Sequence, residues 1–282
     1  MFDAAVLTRL LPRSSGPVAL LARRYWISVR NRDPRTLALT GLIVAFVLDA
    51  IAFAHLVEDY LTGDPIVRWD VHFATWLHVH ASQPLVRVFE VVTYAGNAAV
   101  LGLVVLAAAV VLFRRSKINE AALLIVSFGG AVLLNGLLKL VFHRSRPELA
   151  FVHLDTYSFP SGHAAVSAAT FTAAAWLLGL RYRAWRARLL VALATLAAVA
   201  VVGFSRLYLG AHYLSDVLAG MSFGVAWATL CLIGYVLLDG RRSANAHHTA
   251  AACLRADDGV RTRDPQLGKP VEGRMARPEL RS

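Results

Sequence analysis

The sequence predicts an all-α, polytopic membrane protein in which six transmembrane helices form a bundle and both termini are cytoplasmic. Hydrophobic residues make up 57% of the 282 residues and charged residues only 17%, whereas a soluble domain is about 45–50% apolar and about 25% charged. The apolar residues are concentrated in runs close to the roughly 20 residues that cross a bilayer. The basic residues are concentrated between alternate runs. Together these observations define the fold class.

The predicted spans follow these apolar runs in order. They are residues 37–57, 93–113, 121–142, 163–180, 189–205 and 217–238. Asp49 interrupts the first run and is expected to face the bundle interior, because ionisable residues avoid lipid. The sequence therefore divides into a basic cytoplasmic N-terminal region (1–36), a six-helix membrane domain (37–238) and a cytoplasmic tail (239–282). The tail is rich in Arg, Asp, Gly and Pro and is predicted to be disordered.

The distribution of basic residues predicts the orientation. Of the 29 Lys and Arg residues, 23 lie in four segments, which are 1–36, 114–117, 181–188 and 239–282. If the six spans alternate in direction, all four segments share one side, which the positive-inside rule identifies as cytoplasmic. This pattern accounts for the net charge of +11 without a nucleic-acid partner. The loops 143–162 and 206–216 are then both extracytoplasmic.

The two cysteines are expected to be unpaired. Cys231 lies in the sixth predicted span and Cys253 in the predicted tail, so neither a disulfide nor a zinc cluster is indicated.

The first polar motif is KLVFHRSRP, residues 139–147. Lys139 lies at the end of the third span, and Arg146 precedes Pro147, which discourages helix continuation. Arg offers a planar fork and Lys a compact charge, so the two could bind one phosphate. Taken alone, they could equally be two cations that extend toward water at a helix end.

The second motif is PSGH, residues 160–163, at the start of the fourth span. Ser161 suits an N-cap, Gly162 allows close backbone approach, and His163 lies in the first turn. Exposed N–H groups at a helix N-terminus favour an anion. An ordinary capped helix start is the alternative.

The third motif is SRLYLGAHYLSD, residues 205–216. Ser205 and Arg206 end the fifth span, and His212 and Asp216 are four residues apart, a spacing that places them on one helical face. A carboxylate that accepts from one imidazole nitrogen leaves the other as a nucleophilic lone pair. An interfacial ion pair is the alternative.

Together the motifs describe a phosphoryl-transfer site in which cations balance the charge of the transferred group. A metal site can also be drawn in the loop before the second span, from His72, His78 and His80 with Asp64 and Asp70. Without a matching ligand set, no metal site is predicted there. The segment WDVHFATWLHVH is instead typical of an interfacial amphipathic helix.

The three motifs resemble those of the type-2 phosphatidic acid phosphatase family over residues 37–238, a superfamily that also contains vanadium haloperoxidases. The resemblance implies that His212 is the nucleophile that forms a phosphohistidine, that Asp216 holds it, and that His163 is the general acid. It implies no cofactor and no metal. It also implies a set of phosphate-binding residues, which are Lys139, Arg146, Ser161, Gly162, Ser205 and Arg206. His143, Arg144 and His153 are not signature positions of this family and are expected to be loop residues that can touch a head group.

The predicted function is hydrolysis of a lipid phosphate or polyprenyl diphosphate at the extracytoplasmic face of the cell membrane. Location favours a lipid, because helix ends lie where a head group sits while its tails stay in the bilayer. A phosphotransferase with an acceptor other than water needs the same residues and remains open. A transporter or structural protein is disfavoured because only Asp49 lies near mid-membrane. Six spans disfavour a haloperoxidase. The oligomeric state stays open.

Overall fold

The computed structural model describes residues 20, 25–29, 31, 33–63, 65–152 and 156–261. Within these ranges the protein is helical and contains no strand. The helices are α1 (Pro34–Thr62), α2 (Pro65–Val79), α3 (Gln83–Val92), a 3₁₀ turn (Thr93–Gly96), α4 (Ala98–Arg114), α5 (Ile118–Phe142), α6 (Gly162–Gly179), α7 (Trp185–Tyr208) and α8 (Leu214–Arg261). The predicted all-α class is confirmed for this part of the chain.

The helix ends follow local signals in the sequence. Asp33 caps α1, since its side chain accepts a hydrogen bond from the Thr36 amide at 3.1 Å, and α1 ends at Gly63 with φ 73°. Asn97 caps α4 through the amide of Ala99 at 2.9 Å. Capping of this kind satisfies N–H groups that have no partner within the helix.

Four helices are long and apolar enough to cross a membrane, namely Pro34–Thr62, Ile118–Phe142, Trp185–Tyr208 and Leu214–Asp239. A fifth span arises if Gln83–Gly96 and Ala98–Arg114, which meet at 43°, are counted as one. The predicted run 163–180 corresponds to α6, which is not apolar enough to qualify. The protein is therefore a multi-pass membrane protein, and its six-span layout and cytoplasmic termini stay predictions.

α6 is the most enclosed of these helices. It packs against α4, α5 and α7, and eight of its 18 residues are buried. On α8, Gly220 and Gly224 allow the closest approach, because a Cβ atom there would lie 2.5 Å from the Ser161 carbonyl oxygen and 2.3 Å from that of Ala165. Small residues four apart commonly permit such contacts between membrane helices.

α2 has the two faces expected of an interfacial helix. Trp69, Trp76 and Val79 are exposed on one side, and Asp70 and Leu77 are buried on the other. Leu77 belongs to a core cluster with residues of α3, α6, α7 and α8. The apolar contacts of α2 therefore fix the buried position of Asp70.

The chain divides into two compact units, residues 1–237 and 238–282. In the second unit α8 continues to Arg261, so residues 239–261 are helical where the sequence predicts a disordered tail. Alanine, the best helix former, is frequent between 244 and 256 and favours this helix. The rest of the tail, the side chain of Cys253 and the N-terminal residues 1–19 lie outside the described residues. Cys231 is a free, half-buried thiol, and Asp49 is half-buried.

Candidate active site

The three polar motifs meet at one end of the bundle, where α5 and α7 end and α6 and α8 begin. The second and third motifs are joined through the main chain, since the Ser161 amide donates to the Asp216 carbonyl oxygen at 2.9 Å. The first and third are joined through side chains, since Nη1 of Arg146 lies 3.3 Å from Nε2 of His212. The fold therefore assembles residues that are up to 77 positions apart, from Lys139 to Asp216.

His212 and Asp216 form a buried pair. Nδ1 of His212 lies 3.5 Å from Oδ2 of Asp216, and the two side chains are 2% and 0% exposed. Burial lowers the pKa of His212 to about 3, although its hydrogen bond and charge interaction with Asp216 act in the opposite direction. The ring is therefore neutral at neutral pH. With its Nδ1 side toward the carboxylate, its Nε2 lone pair faces Arg146.

Asp216 is held from several directions. Oδ2 accepts hydrogen bonds from the Tyr213 amide at 2.9 Å and from the Ser158 hydroxyl. Oδ1 accepts from Nη1 of Arg144 at 2.6 Å. A carboxylate with this many donors favours its charged form, so Asp216 can stabilise positive charge on the His212 ring.

Both Nη atoms of Arg144 are engaged inside the protein. Its Nη2 donates to Asp70 Oδ2 at 2.8 Å and its Nη1 to the Ser215 hydroxyl at 2.7 Å. Its guanidinium also lies over the rings of Tyr60 and Tyr213, at 5.1 and 4.5 Å from their centroids. Burial alone would lower the pKa of Arg144, but the charges of Asp216 and Asp70 raise it. Arg144 is therefore not the loop residue facing a head group that the sequence predicts.

Lys139 and Arg146 line the other side of the site and hold the loop 156–158. Lys139 Nζ donates to the Tyr157 carbonyl oxygen, and Arg146 donates to the Thr156 carbonyl oxygen at 2.6 Å and its hydroxyl at 2.7 Å. Burial lowers the pKa of Arg146, although Asp216 opposes the shift. Both side chains reach the site, and their binding of a phosphate stays a prediction.

Two buried polar atoms near these cations have no hydrogen-bond partner within the described residues. They are the Ser161 hydroxyl and Nε of Arg206. Nη1 of Arg206 donates to the Thr93 hydroxyl at 2.9 Å. Buried polar groups are rarely left unpaired, so both atoms suit an oxygen-rich ligand.

The remaining predicted residues are placed as follows. Gly162 is the first residue of α6, and a Cβ atom there would lie 3.1 Å from Asn135 Oδ1. His163, in the first turn of α6, lies within electrostatic range of Arg206 and His212. The Ser205 hydroxyl donates to the Val202 carbonyl oxygen of its own helix at 2.6 Å, so its phosphate contact stays a prediction.

The sequence analysis did not assign four polar residues to the hydrogen-bond network of the pair His212–Asp216. They are Asp70, Arg144, Ser158 and Ser215. Arg144 carried a signal, since the sequence predicts it on the extracytoplasmic side, where the positive-inside rule disfavours a cation. Asn135, one helical turn before Lys139, was also missed, and its amide lies 3.4 Å from the Pro160 carbonyl oxygen. His143 is exposed and makes an edge-to-face contact with Tyr157, and His153 lies outside the described residues.

The histidines between residues 72 and 80 are not gathered into a cluster. His78 stacks on Phe151 and His80 on Trp76, and Asp70 is engaged by Arg144 and Ser215. Within the described ranges, no group of three or more His, Cys, Asp or Glu residues is arranged to hold a metal ion.

Known proteins are similar to this chain over the region that contains the three motifs. Residues 120–237 match the model of the PAP2 superfamily. The chain is 36% identical over 138 residues to phosphatidylglycerophosphatase B of Bacillus subtilis, which covers 48% of this chain and 67% of that protein. It is 38% identical over 121 residues to a lipid A 1-phosphatase of Rhizobium etli, which covers 39% of this chain and 47% of that protein.

A solved structure shows the same arrangement of helices. It is the crystal structure of a transmembrane PAP2 type phosphatidylglycerolphosphate phosphatase from Bacillus subtilis, with a TM-score of 0.57 and 26% sequence identity. The similarity covers 67% of this chain and 93% of that one.

Proposed function

Since this chain belongs to the PAP2 superfamily, we propose that it is a membrane phosphatase that hydrolyses a lipid or polyprenyl phosphate through a phosphohistidine intermediate on His212. The observation that carries the proposal is the buried pair His212–Asp216, whose Nε2 faces Arg146. A neutral, oriented imidazole beside a cation is suited to attack an anionic phosphoryl group. If His212 and Asp216 formed only an interfacial ion pair, nothing would require Nε2 of His212 to face Arg146 while Nδ1 faces Asp216.

In the first half-reaction, the Nε2 lone pair of His212 attacks phosphorus and the P–O ester bond breaks. The leaving oxygen takes the electron pair of that bond and a proton from His163. The positive charge that develops on the His212 ring is stabilised by Asp216 through Nδ1–H. In the second half-reaction, water gives a proton to His163 and its oxygen attacks phosphorus, the P–N bond breaks, and phosphate and free His212 result.

Charge on the transferred group is balanced by Lys139, Arg146 and Arg206. Donors placed where charge develops in the transition state are usually the largest contribution to such catalysis. The Ser161 hydroxyl, the Gly162 amide and the Nε of Arg206 supply further donors at the start of α6. Because the pKa of His212 is about 3, its neutral fraction is nearly constant above about pH 5 and is lost only as the pH falls through about 3.

A lipid is the proposed substrate because the site lies at helix ends, where a phosphate head group sits while its tails remain in the bilayer. The names of the relatives support this class, since both are lipid phosphatases by name. The basic segments 1–36, 114–117 and 181–188 support cytoplasmic termini, and the site is then extracytoplasmic.

The test is phosphate release by the full-length protein in detergent with EDTA present. Phosphatidic acid, phosphatidylglycerol phosphate and undecaprenyl diphosphate are offered in parallel, and His212→Ala is the control. We expect release from at least one lipid, and a loss of about 10³-fold or more in the control. Acid-labile, base-stable phosphate on the wild-type protein, absent from the control, would identify the phosphohistidine.

Three outcomes contradict the proposal. Release that His212→Ala leaves intact rejects the covalent scheme. Activity that EDTA removes and a divalent cation restores indicates a metal site. A folded protein that releases phosphate from none of the lipids rejects hydrolysis of this substrate class.

A further inference from the structure

Arg144 and Arg146 are two residues apart but reach opposite sides of the catalytic pair. Nη1 of Arg146 lies 3.3 Å from His212 Nε2, on the side where phosphorus would be attacked. Nη1 of Arg144 lies 2.6 Å from Asp216 Oδ1, on the side away from the imidazole. A role in phosphate binding explains the position of Arg146 beside His212, but it does not explain the position of Arg144 beside Asp216.

Asp70 lies behind Arg144 and is committed to the same network. It is 1% exposed. Its Oδ1 accepts from the Ser215 amide at 2.9 Å, and its Oδ2 accepts from Arg144 at 2.8 Å and from the Ser215 hydroxyl. Asp70 belongs to α2, outside the three motifs and outside residues 120–237 that match the family model.

One guanidinium thus lies between two buried carboxylates. A planar guanidinium can bind one carboxylate with two nitrogens. Here Nη1 donates to Asp216 and Nη2 donates to Asp70, so Arg144 contacts Asp216 only at Oδ1. Oδ2 of Asp216 remains directed at His212 Nδ1, Ser158 and the Tyr213 amide.

We propose that Asp70, acting through Arg144, is a positioning residue for the pair His212–Asp216. Asp70 accepts a hydrogen bond from Nη2 of Arg144, and this bond prevents the guanidinium from binding both carboxylate oxygens of Asp216. The carboxylate therefore keeps its charge and its orientation for the His212 ring. This inference rests on the proposed function, and it makes α2 part of the catalytic apparatus although the helix carries no signature motif.

The proposal predicts an effect on turnover rather than on phosphate binding. The side-chain hydrogen bonds of Asp70 and Arg144 within the described residues go to each other, to Ser215 and to Asp216. They do not reach the three cations proposed to bind phosphate, which are Lys139, Arg146 and Arg206. A purely structural role, in which the ion pair only anchors α2, would instead lower thermal stability and disturb binding and turnover together.

The experiment compares Asp70→Asn and Arg144→Lys with Arg68→Gln, a control on the exposed face of α2. It measures kcat and KM for the lipid that the wild-type protein hydrolyses, the inhibition constant of inorganic phosphate, and the melting temperature. Outer partners that orient a catalytic or ligating histidine are worth about 10- to 100-fold, so we expect kcat to fall by about that factor in both variants. KM and the inhibition constant should stay within about twofold of wild type, and Arg68→Gln should match wild type throughout.

Arg144→Lys keeps the positive charge but replaces the planar guanidinium with a compact ammonium group. It therefore tests whether contact with both Asp70 and Asp216 is required, even if Asp70→Asn does not fold. The kcat of the double variant Asp70→Asn/Arg144→Lys should be no lower than that of the less active single variant, because both changes disrupt the same interaction. Losses that multiply would overturn the proposal.

Wild-type kcat in Asp70→Asn or Arg144→Lys would also overturn it, as would parallel changes in KM, inhibition by phosphate and melting temperature. An inactive wild-type protein would reject the proposed function instead, so the two failures are distinguishable.

Discussion

α1 and α6 are opposite cases of helices in this protein. α1 has 29 residues, is long and apolar enough to cross a membrane, and buries only Leu42. α6 has 18 residues, is less apolar, and buries eight, including Ser167 and Thr170. The more apolar helix is therefore the more exposed one. The less apolar helix, which carries the candidate site residues Gly162 and His163, is enclosed by protein and includes polar and small residues.

The largest difference in kcat is expected between variants of the two histidines, one on each helix. His163→Ala should lower kcat by about 10²- to 10⁴-fold, because it removes the proton donor for the leaving oxygen. His55→Ala is the matched change on α1, where the ring is exposed and pairs only with Glu58 at 3.4 Å among the described residues. Phosphate release at saturating lipid measures both. Equal losses would show that the two helices are not functionally distinct.

The next difference is in packing. Gly224→Ala places a Cβ atom 2.3 Å from the Ala165 carbonyl oxygen, and overpacking of this kind costs about 1–3 kcal/mol in the free energy of unfolding. Gly41→Ala on α1 meets no atom within 4 Å, and should leave stability unchanged or raise it by up to about 1 kcal/mol. Thermal unfolding in detergent compares the two. If the Gly224→Ala variant is as stable as wild type, α8 does not approach α6 this closely.

The smallest difference is expected from two threonines. The Thr170 hydroxyl on α6 is buried without a partner within the described residues, so Thr170→Val should stabilise the protein by about 1 kcal/mol. The Thr40 hydroxyl on α1 donates to the Thr36 carbonyl oxygen at 2.7 Å, so Thr40→Val should be neutral or destabilising by about 0.5–1 kcal/mol. The same unfolding assay measures both. Destabilisation by Thr170→Val would indicate a hydrogen bond at that hydroxyl.

The helical class could be predicted from the sequence because it depends on local patterns, and the roles of the motif residues stay predictions. Lys139, His163 and Asp216 lie within one turn of helix ends, so their convergence follows from which ends share a side. The burial of α6 could not be predicted in this way, because enclosure depends on its neighbours. The contact between Asp70 and Arg144 joins positions 74 apart, and no spacing rule connects a residue of α2 to the first motif.

The charges of the candidate site are unbalanced. Four cations, Lys139, Arg144, Arg146 and Arg206, face two carboxylates, Asp70 and Asp216. A cleft with an excess of one sign in low-dielectric surroundings draws in ligands of the other sign from a distance. The association rate of a short-chain, water-soluble phosphate ester should therefore fall as ionic strength rises, since the Debye length shortens from about 30 Å at 0.01 M to about 8 Å at 0.15 M. A lipid confined to the bilayer arrives by lateral diffusion, and its encounter rate should depend on salt much less.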